Sequence, residues 1–150
     1  MPADSAPTEV DLILESAVRR RQLDDPVSPG YSGATLEWLE LPDRSRVVLK
    51  RARPEDDLAM LATHDPGRAY LFWPRGVYGR MPASIDTAIV ATDCKDGEWR
   101  MVMRDASASL LRDGEPVSRS DCRRILAAMA DLHEAFAGVP RLTAWRSRAT

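Results

Sequence analysis

Hydrophobic positions recur at helical spacing in two stretches of the chain. Near the start, Val10, Ile13, Leu14, Ala17 and Val18 fall at i, i+3, i+4, i+7 and i+8. That spacing predicts an amphipathic helix from Thr8 to about Leu23. Thr8 and Asp11 are placed as a capping box, and Arg19-Arg20-Arg21 would set cations against the negative end of the helix dipole. The second stripe is longer: Cys122, Ile125, Leu126, Met129, Leu132, His133 and Phe136. It predicts a helix over 119–137, opened by Ser118 with Asp121 and stopped by Gly138 and Pro140. His133 lies on the apolar side of that helix and reads as a core residue.

Between the helices the period shortens to that of strands. Residues 28–52, "SPGYSGATLEWLELPDRSRVVLKRA", read as two strands around a glycine-bearing turn, then a third strand that ends in a lysine. In "ATLEWLEL", Leu36 and Trp38 share one face while Leu39 and Leu41 take the other. Pro42-Asp43-Arg44-Ser45 is a turn, because proline fixes φ and Asp43 can bond nearby backbone. Pro54 followed by Glu55-Asp56-Asp57 opens a helical segment to about Thr63, the three acids reading as a solvated first turn. Residues 67–80 are helical in pattern. Pro74 inside them would cost about 3 kcal/mol, so a kink or two separate pieces is expected. "SIDTAIVATD" and "EWRMVMRD" are two strands joined by Lys95-Asp96-Gly97, and "ASASLL" is a short helical turn.

Composition narrows the classes. At 150 residues with 44% apolar content, the chain is one domain or two small lobes. A formal charge of −2 leaves no electrostatic footprint for nucleic acid or an anionic membrane. No apolar run approaches the roughly 20 residues of a membrane helix. The opening "MPADSAPTEV" lacks the basic and apolar regions of a secretory signal, so a cytoplasmic location is expected. Residues 1–7 are expected to be a disordered tail. Cys94 and Cys122 have no CxxC partner and no neighbouring histidine, and read as reduced thiols.

The order of elements is more informative: helix, three strands, helical segment, two strands, linker, long helix. "PGYSGATLEWLEL", "VVLKRA", "EWRMVMRDASASLL" and "RRILAAMADLHEAF" follow one another in the order of a nucleotide-loop hairpin, a lysine strand, a last strand with its hinge, and the helix after it. In this the chain resembles the aminoglycoside phosphotransferase/choline-kinase-like family, over about residues 25–137. The resemblance implies an α+β protein-kinase-like N-lobe. Its five-stranded antiparallel sheet with an inserted helix would span residues 8–104, with a hinge or linker at 105–118. The first helix of a truncated C-terminal lobe would lie within 119–150. It also implies a role for Lys50, one of only two lysines among 21 basic residues. A compact charge on a flexible stem suits nucleotide phosphates, and Lys50 shares a strand face with Val48. Gly30, Tyr31, Ser32 and Gly33 would turn backbone N–H groups toward the phosphates. Met103 and Arg104 would lie beside the adenine edge. Asp105 would hold the hinge or cap the turn that follows.

The departures from the family bear on activity. Residues 67–80 offer no glutamate to pair with Lys50. No asparagine occurs in the sequence, and no acidic residue follows Glu134, whereas the family's catalytic aspartate and magnesium ligands lie beyond the matching helix. The expectation is therefore weak or vestigial ATP binding, no magnesium site in this chain alone, and no catalysis. The apolar stripe of 119–137 is expected to be undercovered. The alternative to a truncated kinase is a non-enzymatic binding or regulatory module built on the same lobe, which would pair through helix 119–137 with a second copy of the chain or with a separate catalytic half.

Overall fold

The computed structural model describes residues 6–23, 33–65, 67–111 and 114–138. Helix α1 (Glu9–Ser16) precedes strands β1 (Arg19–Gln22), β2 (Thr35–Glu40) and β3 (Arg46–Ala52). Two short helices follow, α2 (Leu58–Thr63) and α3 (Arg68–Leu71), then β4 (Ile89–Lys95), β5 (Glu98–Arg104) and the long α4 (Arg119–Phe136). The strands form one antiparallel sheet in the order β1-β2-β3-β5-β4. The protein is thus α+β, with the helical insertion between β3 and β4.

Alternation along the strands divides the apolar residues between two faces. On one face Leu39, Val47, Leu49, Ala91 and Val102 meet Val10 and Leu14 of α1. Leu39, Leu49, Val10 and Val102 are fully buried there, each contributing about 1.5–3 kcal/mol by leaving water. On the other face Ala52 and Met101 pack with Met60 of α2 and Tyr70 of α3. Tyr70 stacks on Trp99 at 5.5 Å between ring centroids. These two short helices cover only one end of their face.

An ion network ties α1 to the far edge of the sheet. Arg100 is buried in β5, level with Asp93 of β4, and bonds the Asp93 carboxylate. Its Nη1 also lies 3.0 Å from Asp11 of α1. Lys95 Nζ approaches the same carboxylate at 3.1 Å. The Thr8 backbone N–H, then Lys95 and Arg100, hold the Asp11 carboxyl down at about 2. The Thr8–Asp11 capping box is formed, as its spacing predicts.

Several expectations need correction. The first helix does not reach Leu23: it ends at Ser16, and Ala17 turns extended. The three arginines belong instead to β1, whose residues are all exposed, and Arg20 reaches back to bond the Leu14 carbonyl at the open end of α1. The first strand of the sheet therefore lies upstream of residue 28, and 24–32, which includes part of the expected hairpin, falls outside the described residues. Asp57 is not solvated. It is 3% exposed, and its carboxylate accepts the Met60 N–H at the start of α2. His133 is exposed, not a core residue. The 67–80 stretch divides as Pro74 requires, into α3 and a 3-10 turn at Tyr78–Arg80. The β4–β5 turn is tight, with Asp96 at φ 52° and Gly97 at φ 76°, a backbone form that matches strand twist. The expected tail at 1–7 falls largely outside the described residues.

Candidate functional site: an apolar cavity at the exit of the sheet

One row of paired residues crosses the uncovered end of the second sheet face. Arg21 is level with Trp38, Trp38 with Val48, and Val48 with Met103. Directly paired residues in antiparallel strands project to the same side, so this row builds a continuous wall. Leu23, Leu36, Ala88 and Leu110 complete a cavity of about 570 Å³. Its interior is mainly aliphatic and aromatic, and Arg21, Arg46 and Arg104 supply cations to its lining. Arg46 lies over the Trp38 ring, with its guanidinium carbon 4.6 Å from the ring centroid. That contact stiffens one side of the cavity by a cation–π attraction.

The segment leaving β5 forms the opposite wall. The Arg104 N–H donates to the Ala88 carbonyl at 2.7 Å, and the Asp105 N–H to the Arg46 carbonyl at 3.2 Å. The Asp105 carboxylate accepts the Ser107 N–H at 3.0 Å. Ser107, and beyond it the Trp38 indole and Arg46, hold the Asp105 carboxyl below its usual range. Arg104 itself pairs with Asp86. Asp105 thus both pins the chain as it leaves the sheet and starts the 3-10 turn at Ser107–Ser109.

The residues singled out from the sequence fall in three places. Met103 and Arg104 line the cavity. The Arg104 N–H, expected free for a base edge, is already committed to Ala88. Lys50 is on the same sheet face as Val48, one pleat further on and level with Leu36 and Met101. It is half-buried, does not line the cavity, and has no ion-pair partner among the described residues. Gly33 is described at φ 70°, against the turn that follows β3, where a Cβ would overlap the Asp56 carbonyl oxygen. Gly30, Tyr31 and Ser32 lie outside the described residues. Trp38, Leu23, Ala88 and Leu110 were not singled out as site residues. The alternation of "ATLEWLEL" already put Leu36 and Trp38 on one face, but only the register shows that this face is Val48's.

A second polar feature lies at the covered end of the same sheet face, under α3. The Tyr70 hydroxyl is buried without a hydrogen-bond partner among the described residues. Burial, then the nearby Asp57 charge, raises the phenol to about 12. Among the described residues no three His, Cys, Asp or Glu side chains converge as a metal site. No helix among them is long and apolar enough to cross a membrane. No family model matches the chain, and no curated protein or solved structure is significantly similar to it.

Proposed function

We propose that this chain is a kinase-like nucleotide-binding lobe, similar to that of the aminoglycoside phosphotransferase/choline-kinase-like proteins, which takes the base of ATP in the cavity and transfers no phosphoryl group by itself. The observation that carries this reading is a convergence. One cavity is bounded by both flanks of the glycine-bearing connection (Leu23 and Leu36), by Val48 two residues before Lys50, and by the exit of the last strand at Met103–Ser107. A planar base suits an apolar slot of this kind, and a few polar groups suffice to orient it. Phosphates extending along the sheet face from Val48 would next meet Lys50, whose charge has no counter-ion among the described residues. ATP is the nucleotide, and a cytoplasmic setting belongs to the same reading.

Binding is weak in this reading for two reasons. The Arg104 N–H is already used, so the base is held mainly by the walls. Among the described residues Lys50 has no paired carboxylate to fix its stem, and the sequence holds no acidic residue beyond Glu134 to carry magnesium. Phosphoryl transfer depends on positioned metal and charge, so this chain alone should give no magnesium-dependent phosphorylation of aminoglycosides, choline or sugars above background. Titration calorimetry with adenosine and ATP tests the reading. Both should bind, ATP more tightly; Val48→Trp should abolish both by filling the cavity, and Lys50→Ala should remove the advantage of ATP over adenosine. Absence of adenosine binding at millimolar concentration, or indifference to both substitutions, would overturn it. Turnover that disappears with Lys50→Ala would overturn the claim of incompetence.

A further inference from the structure

Helix α4 carries an apolar face that nothing in the described structure covers. It runs 18 residues without one buried side chain. Ile125, Leu126 and Met129 are 43%, 64% and 49% exposed, and Cys122 and His133 are exposed on the same side. The residues turned toward the rest of the chain are Ala128, Leu132 and Phe136, each half-buried, with Arg80 lying over the Phe136 ring. A stripe of this length at i, i+3, i+4, i+7 spacing is a seam for another helix.

The charges beside the seam say which helix fits. The first half of α4 holds Arg119, Arg123 and Arg124 against Asp121, and the second half holds Asp131 and Glu134. Arg123 and Glu134 both project on the same edge of the stripe. Both are exposed, and neither has an ion-pair partner among the described residues. We propose that α4 pairs with α4 of a second copy of this chain, antiparallel and crossing at Met129. In that arrangement Met129 of one protomer is level with Met129 of its partner, and Ile125 with the partner's exposed His133. Arg123 is then within one residue, a rise of about 1.5 Å, of the partner's Glu134, and the two-fold axis repeats the pair at the other end. A parallel pair would carry this edge of the two helices to opposite sides of the seam, so Arg123 and Glu134 would have no partner in each other. Flanking charges of this kind select both partner and direction in paired helices. The proposal is independent of the nucleotide reading.

Sedimentation equilibrium on the full chain, with charge-swapped and cysteine variants, tests it. The wild type should show a concentration-dependent dimer. Arg123→Glu and Glu134→Arg should each weaken it by about tenfold or more, since two cross-protomer pairs become repulsive in each. Mixing these two variants should restore a heterodimer, because every juxtaposed pair is then again of opposite sign. Circular dichroism checks that each variant keeps its helices. Direction is read by mild oxidation in a Cys94→Ser background. Cys122→Ser with Met129→Cys should cross-link, while the native Cys122 should not, because an antiparallel pair holds the two Cys122 thiols far apart. Cross-linking through native Cys122 would overturn the antiparallel arrangement. A monomer at every concentration would overturn the pairing itself; protected amides along 122–129 in that monomer would instead show the face covered by the chain's own 139–150 segment.

Discussion

Arg100 occupies a position where an unpaired charge would be ruinous. Its side chain is 6% exposed, and it holds Asp93 and Asp11 together across two strands and a helix. A buried ion pair of this sort adds little to stability compared with a well-packed apolar pair, but breaking it strands its partners. Arg100→Met should therefore destabilise the fold by about 3–5 kcal/mol, seen as a lower urea midpoint with an unchanged slope. Lys95 still faces Asp11 in that variant, so the penalty falls mainly on Asp93. A loss below about 1 kcal/mol, the size of an exposed pair's contribution, would show that solvent reaches the network. The sequence gives no hint of this role. "EWRMVMRD" presents Arg100 as a polar position in an alternating strand, and only the register that levels it with Asp93 makes it a buried tie.

At the scale of elements, the turns and caps were the readable part. Thr8 with Asp11, Ser118 with Asp121, the Asp96-Gly97 turn and the break at Pro74 each rest on local chemistry, and each stands where the sequence places it. The boundary of α1 was not readable. Arg19–Gln22 is an edge strand with every side chain exposed, so it has no alternation to betray it, and cations after a helical stripe mimic a helix end. The backbone of β2 makes it a strand, by offering an unpaired row of N–H and C=O groups. The cavity was half-readable: "VVLK" and "RMVMRD" supplied Val48, Met103 and Arg104, while Leu23, read as the end of the first helix, and Ala88, read inside the fourth strand, lie just outside β1 and β4. The packing of one connection on another yields a prediction here. Gly33 sits at positive φ with its α-carbon against the Asp56 carbonyl. Gly33→Ala should cost about 2–3 kcal/mol through backbone strain and displacement of the Asp56 turn. Since that turn leads into the buried Asp57 cap of α2, hydrogen exchange should quicken over 57–63. An unchanged exchange pattern would mean that the two turns move independently.

For the whole molecule, the two ends of the sheet differ in how they meet a neighbour. Three consecutive arginines form the β1 margin, all exposed. A strand-seeking chain arriving there from a second copy would bring its own three, and six guanidinium groups would crowd one ladder. Guanidinium groups stay charged at every ordinary pH, so acidity offers no release; only dissolved ions can mute the repulsion. The β1 margin is thus guarded against fibre growth by charge. Replacing Arg19, Arg20 and Arg21 with Ser-Thr-Ser should make the chain thioflavin-positive on prolonged warming, while the parent stays clear in dilute buffer. Parent fibres at low ionic strength would contradict this; turbidity only in concentrated salt would fit it. The strand that disguised itself as a helix end is in this sense a sentry, and the length of its watch is set by the ionic strength around it.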